Sequence, residues 1–218
     1  MHTNSSLSGI LLAAGLGSRL GGGKLLLPYK GKPLLAHSLA AVLSAGGLAR
    51  LVLVLGNDAA PVAEALSACC PQFPPAGTEI VINPHPELGL SESLRLGLSA
   101  LIGRPGTPGP QSVAVFLGDQ PLLRPETLRL LYAAHKRALG KNPKHPATAP
   151  EYRGRRGNPV ILSRILLPGL LRLEGDAGAR HILNDLGPRL LLLPVDDPGV
   201  VHDVDTPEAY EELRSQQR

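Results

Sequence analysis

The stretch that most restricts this chain is residues 9–33, GILLAAGLGSRLGGGKLLLPYKGKP. The apolar run at 10–13 predicts a buried strand. It breaks at once into Ala14, Gly15, Gly17, Gly21, Gly22 and Gly23, with Arg19 and Lys24 among them. A strand that opens into a glycine-rich turn lets backbone N–H groups surround an anion. Arg19 adds a planar fork for phosphate oxygens and Lys24 a point charge. A triphosphate cradle is therefore expected, in preference to a loose turn with two solvated bases. Two sharper motifs fail on spacing: a dinucleotide fingerprint needs glycine where Leu20 stands, and a P-loop needs glycine at Ser18 and Ser or Thr at Leu25.

Further apolar runs predict strands at 51–55, 79–82 and 113–117, then short ones at 147–149, 159–162 and 190–195. Helical spacing predicts helices at 34–45, 60–68 (capped by Asn57 or Asp58), 91–101 (capped by Ser91 or a neighbour), 125–139, 166–173, 177–186 and 207–214. The alternation of strand and helix implies crossovers. An α/β fold follows, with a mostly parallel sheet covered by helices on both faces. Residues 1–8 are expected to be a disordered tail and 9–218 one domain. With 43% hydrophobic residues but only 3% aromatics, its core must be mostly Leu, Val, Ile and Ala. The formal charge of +4 suits anionic substrates. It is too scattered, and too poorly interleaved with aromatics, for nucleic acid. Cys69 and Cys70 are adjacent, which suits neither a disulfide nor a zinc site, so a reducing cytoplasm is expected. No signal peptide and no run of membrane-spanning length is visible.

Ligands of such sheets bind beyond the carboxyl ends of the strands. The cradle follows the first strand there, and Asp119, in Leu-Gly-Asp-Gln-Pro, follows the fourth. Asp119 fits either a magnesium ligand or a turn carboxylate. Asp203 and Asp205 would share a side if extended, the alternative being that an aspartate or Thr206 caps the helix opened by Pro207. Ser91 and Ser93 suit anion donors at a helix start, or an ordinary amphipathic helix with Arg95 outside. The basic stretches 152–160 and 175–180 suit an anionic second substrate or a solvated hairpin, the latter being preferred for Arg153. His202 reads as structural or surface.

Leu12-Ala13-Ala14-Gly15, Gly17, Arg19, Lys24, Pro28 and Gly31-Lys32-Pro33-Leu34 together resemble the signature loop of nucleoside-triphosphate transferases. More narrowly, with the LGDQP, DVDTPE and 83–98 segments, nearly the whole chain resembles the MobA-like nucleotidyltransferases. Within these it is most similar to the molybdenum cofactor cytidylyltransferase group. The resemblance implies a three-layer Rossmann-like fold of the GT-A type. It implies nucleotide contacts from Leu12, Ala13, Ala14, Gly15, Gly17, Arg19, Lys24, Asn83, Ser93 and Gly118, with Arg19, Lys24 and Asp119 at the chemistry. Mg2+ would sit on Asp119 and Asp205, with Asp203 as a supporting or alternate ligand. Residues 147–186 would face the second substrate, an anionic molybdopterin held by Arg155, Arg156, Asn158, Asp176 and Arg180.

The implied reaction transfers CMP from CTP to the terminal phosphate of molybdopterin and releases pyrophosphate. A molybdoenzyme or its maturation chaperone would receive the product. Positioning and charge neutralisation suffice for such transfer, and no Gly-x-Ser-x-Gly nucleophile is present. Ala13-Ala14-Gly15 resembles the cytidine-using branch, and the Cβ of Ala14 would crowd a purine. One departure bears on the acceptor: the family's Arg-Gly-His-Pro reads Arg156-Gly157-Asn158-Pro159 here. The alternatives are a GTP-dependent guanylyltransferase, a cytidylyltransferase for another small phosphorylated acceptor, a dinucleotide-binding oxidoreductase, which Leu20 disfavours, and a non-catalytic cofactor carrier. A carrier has no need of Lys24, Asp119 and Asp205.

Overall fold

A computed structural model of the chain describes residues 6–215 apart from 16, 18, 19, 21, 104–108, 174 and 176–178. In chain order the strands are β1 (Leu7–Ala13), β2 (Pro28–Tyr29), β3 (Lys32–Pro33), β4 (Leu51–Leu55), β5 (Thr78–Ile82), β6 (Ser112–Leu117), β7 (Ala147–Tyr152), β8 (Arg155–Arg156), β9 (Val160–Ser163) and β10 (Leu190–Pro194). The helices are α1 (Leu34–Ala45), α2 (Ala59–Cys69), α3 (Leu90–Ile102), α4 (Pro125–Lys141), α5 (Leu167–Leu170), α6 (Arg180–Leu186) and α7 (Pro207–Ser215). An eight-stranded sheet runs β10–β7–β9–β6–β1–β4–β5, with β8 paired onto β7. β6, β1, β4 and β5 are parallel, as are β10 and β7; β9 runs antiparallel to both of its neighbours.

The central strands read as unbroken apolar runs because both faces of the sheet are covered. Ile10 and Leu12 of β1 join Val52, Val54, Leu94, Leu98, Val113 and Val115 on one face. Leu11 and Ala13 join Leu35, Leu39, Leu53, Phe116, Leu128 and Leu131 on the other. Gly97, in the middle of α3, is there for closeness: a Cβ would lie 2.7 Å from Cγ2 of Ile10.

Several boundaries differ from the sequence reading. Leu7 and Ser8 belong to β1 and pair with Ser112 and Val113, so no tail runs as far as residue 8. The helix expected at 166–173 shrinks to α5: Leu166 ends a preceding 3₁₀ turn, and beyond Leu171 the bonds of Arg172 and Leu173 tighten to carbonyls three residues back. For the helix expected at 177–186 the described residues give only α6. Asp58 stands at the N-cap of α2 but makes no side-chain cap bond. Ser91 lies inside α3, whose N-cap is Gly89.

The basic, proline-containing stretch 140–146 reads from its composition as a solvated linker. Instead 140 and 141 continue α4, and His145 is buried in a polar seam between α4 and the sheet. His135 Nε2 meets the Ser112 hydroxyl at 2.9 Å, its Nδ1 meets Thr148 Oγ1 at 3.0 Å, and His145 Nε2 meets the same hydroxyl at 2.9 Å. Burial, aided by His145, pushes His135 down to about 4, and burial also lowers His145. A histidine held neutral in the fold but free to take a proton when unfolded stabilises the fold above the unfolded pKa. That stability drains as the pH falls from about 6.5 towards 4. Roughly 3 kcal/mol should be lost over this window from His135 alone. Urea melts at pH 7 and pH 4.5 read the loss directly, and His135→Gln should flatten the slope; an equal slope in that variant would remove His135 as the cause.

Candidate functional site

β1, β4, β5 and β6 finish level with one another: Ala13 pairs with Leu55, Leu55 with Ile82, and Leu12 with Leu117. The ladders extend one residue further, through Gly118 N–H to the Leu12 carbonyl (2.8 Å) and Asn83 N–H to the Leu55 carbonyl (2.7 Å). Gly118 has no room for a side chain, since a Cβ would lie 2.9 Å from Leu35 and 3.1 Å from the Leu12 oxygen. The chain therefore passes close over β1 and delivers Asp119 to the edge where the glycine-rich turn begins.

That turn closes on the Gly17 carbonyl, which accepts from Leu20 N–H (2.9 Å) and Gly22 N–H (3.1 Å). Gly17, at φ +57°, and Gly23, at φ +62°, take left-handed conformations that favour glycine. Gly23 starts the 3₁₀ turn Lys24–Leu26 and sends Lys24 inward. Its ammonium reaches Asp119 Oδ2 and Asp205 Oδ1, each at 2.6 Å, with only 8% of the lysine side chain exposed. Burial opposes a charge there, but Asp119 and Asp205 outweigh it and hold the ammonium above its ordinary range.

Asp205 arrives from the far end of the sequence. Val204 is fully buried, and its N–H donates to the Asp119 carbonyl at 3.0 Å. Asp203 and Asp205 flank it and hydrogen-bond to each other. Partial burial, then the Asp119 charge and the bond to Asp205, push the Asp203 carboxyl up from its usual range. Thr206 Oγ1 accepts from Ala209 N–H at 3.2 Å, so Thr206 is the side chain that caps α7 and Asp205 is left to face the site. The segment is clamped upstream by Asp197, which is 1% exposed and accepts from Arg124 N–H (3.1 Å), Thr127 Oγ1 (2.7 Å) and Gly199 N–H (2.9 Å). The sequence reading missed Asp197; Asp-Asp-Pro-Gly signals only a turn.

The Asp119–Lys24 pair borders a cleft of about 470 Å³ walled by Leu12 to Gly15, Gly17, residues 86–90, Ser93 and Gly175. A cavity of about 450 Å³ opens elsewhere, beside Leu7, Tyr132 and His135, so size does not choose the site. Convergent charge does. Asp119 Oδ1 is buried and has no hydrogen-bond partner among the described residues. An orphaned carboxylate oxygen beside a second carboxylate suits Mg2+, which takes one or two carboxylates and completes its shell with water and phosphate oxygens. Among the described residues no group of three or more His, Cys, Asp or Glu side chains forms a metal cage.

Of the nucleotide residues expected from the sequence, Leu12, Ala13, Ala14, Gly15, Gly17, Lys24 and Ser93 line the cleft and Gly118 shapes it, and the expected metal ligand Asp119 lines it beside them. Asn83 differs. It is fully buried and bonds to Ser93 Oγ (2.9 Å) and His85 N–H (2.8 Å), so it supports the wall without facing the cleft. A smaller cleft of about 200 Å³ adjoins, sharing Leu12, Leu90 and Leu117. Arg156, Asn158 and Arg180 line it, over a floor that includes Val115, Val160 and Leu162. Arg155 is exposed on β8 and does not line it. Arg153 stacks over Tyr152 at 5.1 Å. Arg19 and Asp176 lie outside the described residues.

The sequence and the fold have known counterparts. The family described as the MobA-like NTP transferase domain matches residues 9–202. The protein named nicotine blue oxidoreductase of Paenarthrobacter nicotinovorans is 32% identical over 204 residues, 93% of each chain. The 2-C-methyl-D-erythritol 4-phosphate cytidylyltransferase of Cereibacter sphaeroides is 37% identical over 155 residues, 69% of this chain and 63% of that protein. The crystal structure of Rv0371c from Mycobacterium tuberculosis H37Rv superposes with a TM-score of 0.81 at 31% identity, over 98% of this chain and 99% of that one. Its complex with manganese gives 0.75 at 28% identity, over 96% and 98%.

Proposed function

Since the chain belongs to the MobA-like NTP transferase domain family, we propose that it transfers a nucleoside monophosphate, CMP from CTP, to a small phosphorylated acceptor. The observation that carries this is the Asp119–Lys24–Asp205 cluster, with one orphaned carboxylate oxygen, at the mouth of a glycine-turned cleft. The base and ribose would lie along residues 12–15 and Ser93, and the triphosphate at Gly17 and Lys24. The acceptor would occupy the smaller cleft, its anion drawn by Arg156 and Arg180. An acceptor phosphate oxygen then attacks the α-phosphorus, the bond from the α-phosphorus to its bridging oxygen breaks, and pyrophosphate leaves. Lys24 moves its positive charge from the carboxylates towards the phosphate oxygens, and the clefts hold attacking and leaving groups in line. A divalent cation on Asp119 and Asp205, with Asp203 adjusting the second carboxylate, would neutralise charge as it builds on the pyrophosphate.

The cytidylyltransferase relative favours a compact phosphorylated acceptor, and Asn158 in place of the family histidine weakens the case for molybdopterin, which stays as the narrower candidate. The test is pyrophosphate release from CTP, GTP and ATP, with Mg2+ or Mn2+, alone and with 2-C-methyl-D-erythritol 4-phosphate or molybdopterin. Acceptor-dependent release is expected, fastest with CTP. No release from any pair would sink the transferase reading. The oxidoreductase relative supports a second reading; oxidation of NADH or NADPH without any triphosphate would favour it.

A further inference from the structure

The second cavity, of about 450 Å³, is nearly as roomy as the candidate site but lies at the opposite ends of the same strands. Leu7 opens β1 and Ser112 opens β6, and the helical stripe Tyr132, Lys136 and Gly140 of α4 lines the cavity with them. Its volume suits a small organic molecule. Three features restrict which one. The first is the Tyr132 hydroxyl, which is buried and has no hydrogen-bond partner among the described residues. An unpaired buried O–H costs stability. Burial also holds the phenol above its ordinary range, so it stays a donor. The second is the Ser112 hydroxyl: His135 Nε2 occupies one of its bonding positions at 2.9 Å and leaves others open. The third is charge. Among the described lining residues there is no Asp, Glu or Arg, His135 is held neutral, and the exposed Lys136 supplies one cation. Leu7, Ala133 and Leu139 complete the wall with apolar surface.

We infer that this cavity is a second binding site, for a small carboxylic acid with an apolar body, whose carboxylate accepts from the Tyr132 hydroxyl and faces Lys136 while its ring or branched chain lies against Leu7 and Leu139. One lysine matches one negative charge. A phosphate dianion is held better by an arginine fork or by several charged donors, and no arginine lines the cavity among the described residues. A phenol left without a partner, at a cost in stability, is a feature of binding sites more than of packing. The site lies about a strand length, roughly 20 Å, from Asp119, so the acid and a nucleotide would not compete.

Benzoate and cyclohexanecarboxylate are the probes, with phenyl phosphate as the contrasting anion, read on the full chain by saturation-transfer NMR and thermal melts. Both acids should bind in the millimolar range and raise the melting temperature. No saturable binding of either acid at tens of millimolar overturns the inference. Arg156 and Arg180 could attract the same acids to the smaller cleft, so variants fix the location. Ala133→Phe fills the cavity from its exposed rim and should abolish binding; wild-type affinity in that variant places the acid elsewhere and overturns the inference. Tyr132→Phe should weaken benzoate about tenfold and, with no ligand present, raise the melting temperature by about 2–4 °C, because it removes an unpaired buried hydroxyl. A melting temperature that does not rise shows that water already satisfies the phenol and, like an unchanged affinity, overturns the inference. Lys136→Met should weaken benzoate about threefold. Equal affinity there, or phenyl phosphate binding that exceeds benzoate and is lost in Ala133→Phe, overturns the choice of a carboxylate. None of these measurements needs a nucleotide, so the inference stands or falls apart from the transferase reading.

Discussion

Lys24→Met is expected to lower turnover about 100-fold and at the same time to let the protein bind Mn2+ about tenfold more tightly when no nucleotide is present. The two effects have one cause. The Lys24 ammonium sits 2.6 Å from a carboxylate oxygen of both Asp119 and Asp205 and is nearly enclosed. It already balances the negative charge that would attract a divalent cation. Removing it deletes a repulsive neighbour, so metal affinity rises; it also deletes the charge aimed at the triphosphate, so turnover falls. A glycine-flanked loop position suggests that such a change should leave the fold untouched, but Lys24 is buried and pairs two carboxylates. The empty variant should therefore melt earlier, with the loss held to about 1–2 kcal/mol because Asp205 is half exposed. Added Mn2+ should restore part of the stability. Titration of Mn2+ by electron paramagnetic resonance measures the affinity. Equal or weaker Mn2+ binding by Lys24→Met would show that the lysine does not hold the cation position.

What the sequence conveyed, and what it hid, follows from the range of each interaction. β1, β4 and β6 are buried on both faces, so their apolar runs are continuous and visible in any short window. The placement of the turn at Gly17 and of Asp119 on one edge followed from the crossover rule alone. β7 was read too short because Pro150 and Glu151 interrupt the apolar pattern, although both still pair with β10. The caps were legible only in part: Asp58 does stand at the N-cap of α2 but makes no side-chain cap bond, and α3 starts one residue earlier than its polar side chains suggest, so that Gly89 takes the cap and Ser91 lies inside. The ion pairs of Lys24 span 95 and 181 residues, and Asp197 grips Thr127 across 70. No window contains both partners of such contacts. The family pattern supplied Asn83 as a nucleotide contact because it marks a position; only the buried geometry shows that its amide is already engaged on both sides.

Asp119→Asn should reduce turnover about 1,000-fold and Asp205→Asn about 30-fold, since Asp119 is the more enclosed of the two and carries the orphaned oxygen. Asp203→Asn, whose side chain reaches the site through Asp205, should be milder. The double variant Asp119→Asn/Asp205→Asn should fall well short of the product of the single effects, because two ligands of one cation act as a unit and the second loss finds little left to remove. Stability should couple in the opposite sense. Either carboxylate alone still gives Lys24 an anionic partner, so each single variant should lose less than about 1 kcal/mol. With both gone, the ammonium is left buried without a counter-charge, and the double variant should lose about 2 kcal/mol or more, beyond the sum of the singles. Asp205→Asn should not fray α7, because Thr206 holds the cap. Pyrophosphate release and thermal melts on the same four proteins separate these outcomes. Multiplicative losses of turnover together with additive losses of stability would mean that Asp119 and Asp205 act independently, and a large drop in melting temperature for Asp205→Asn alone would return that residue to a structural role.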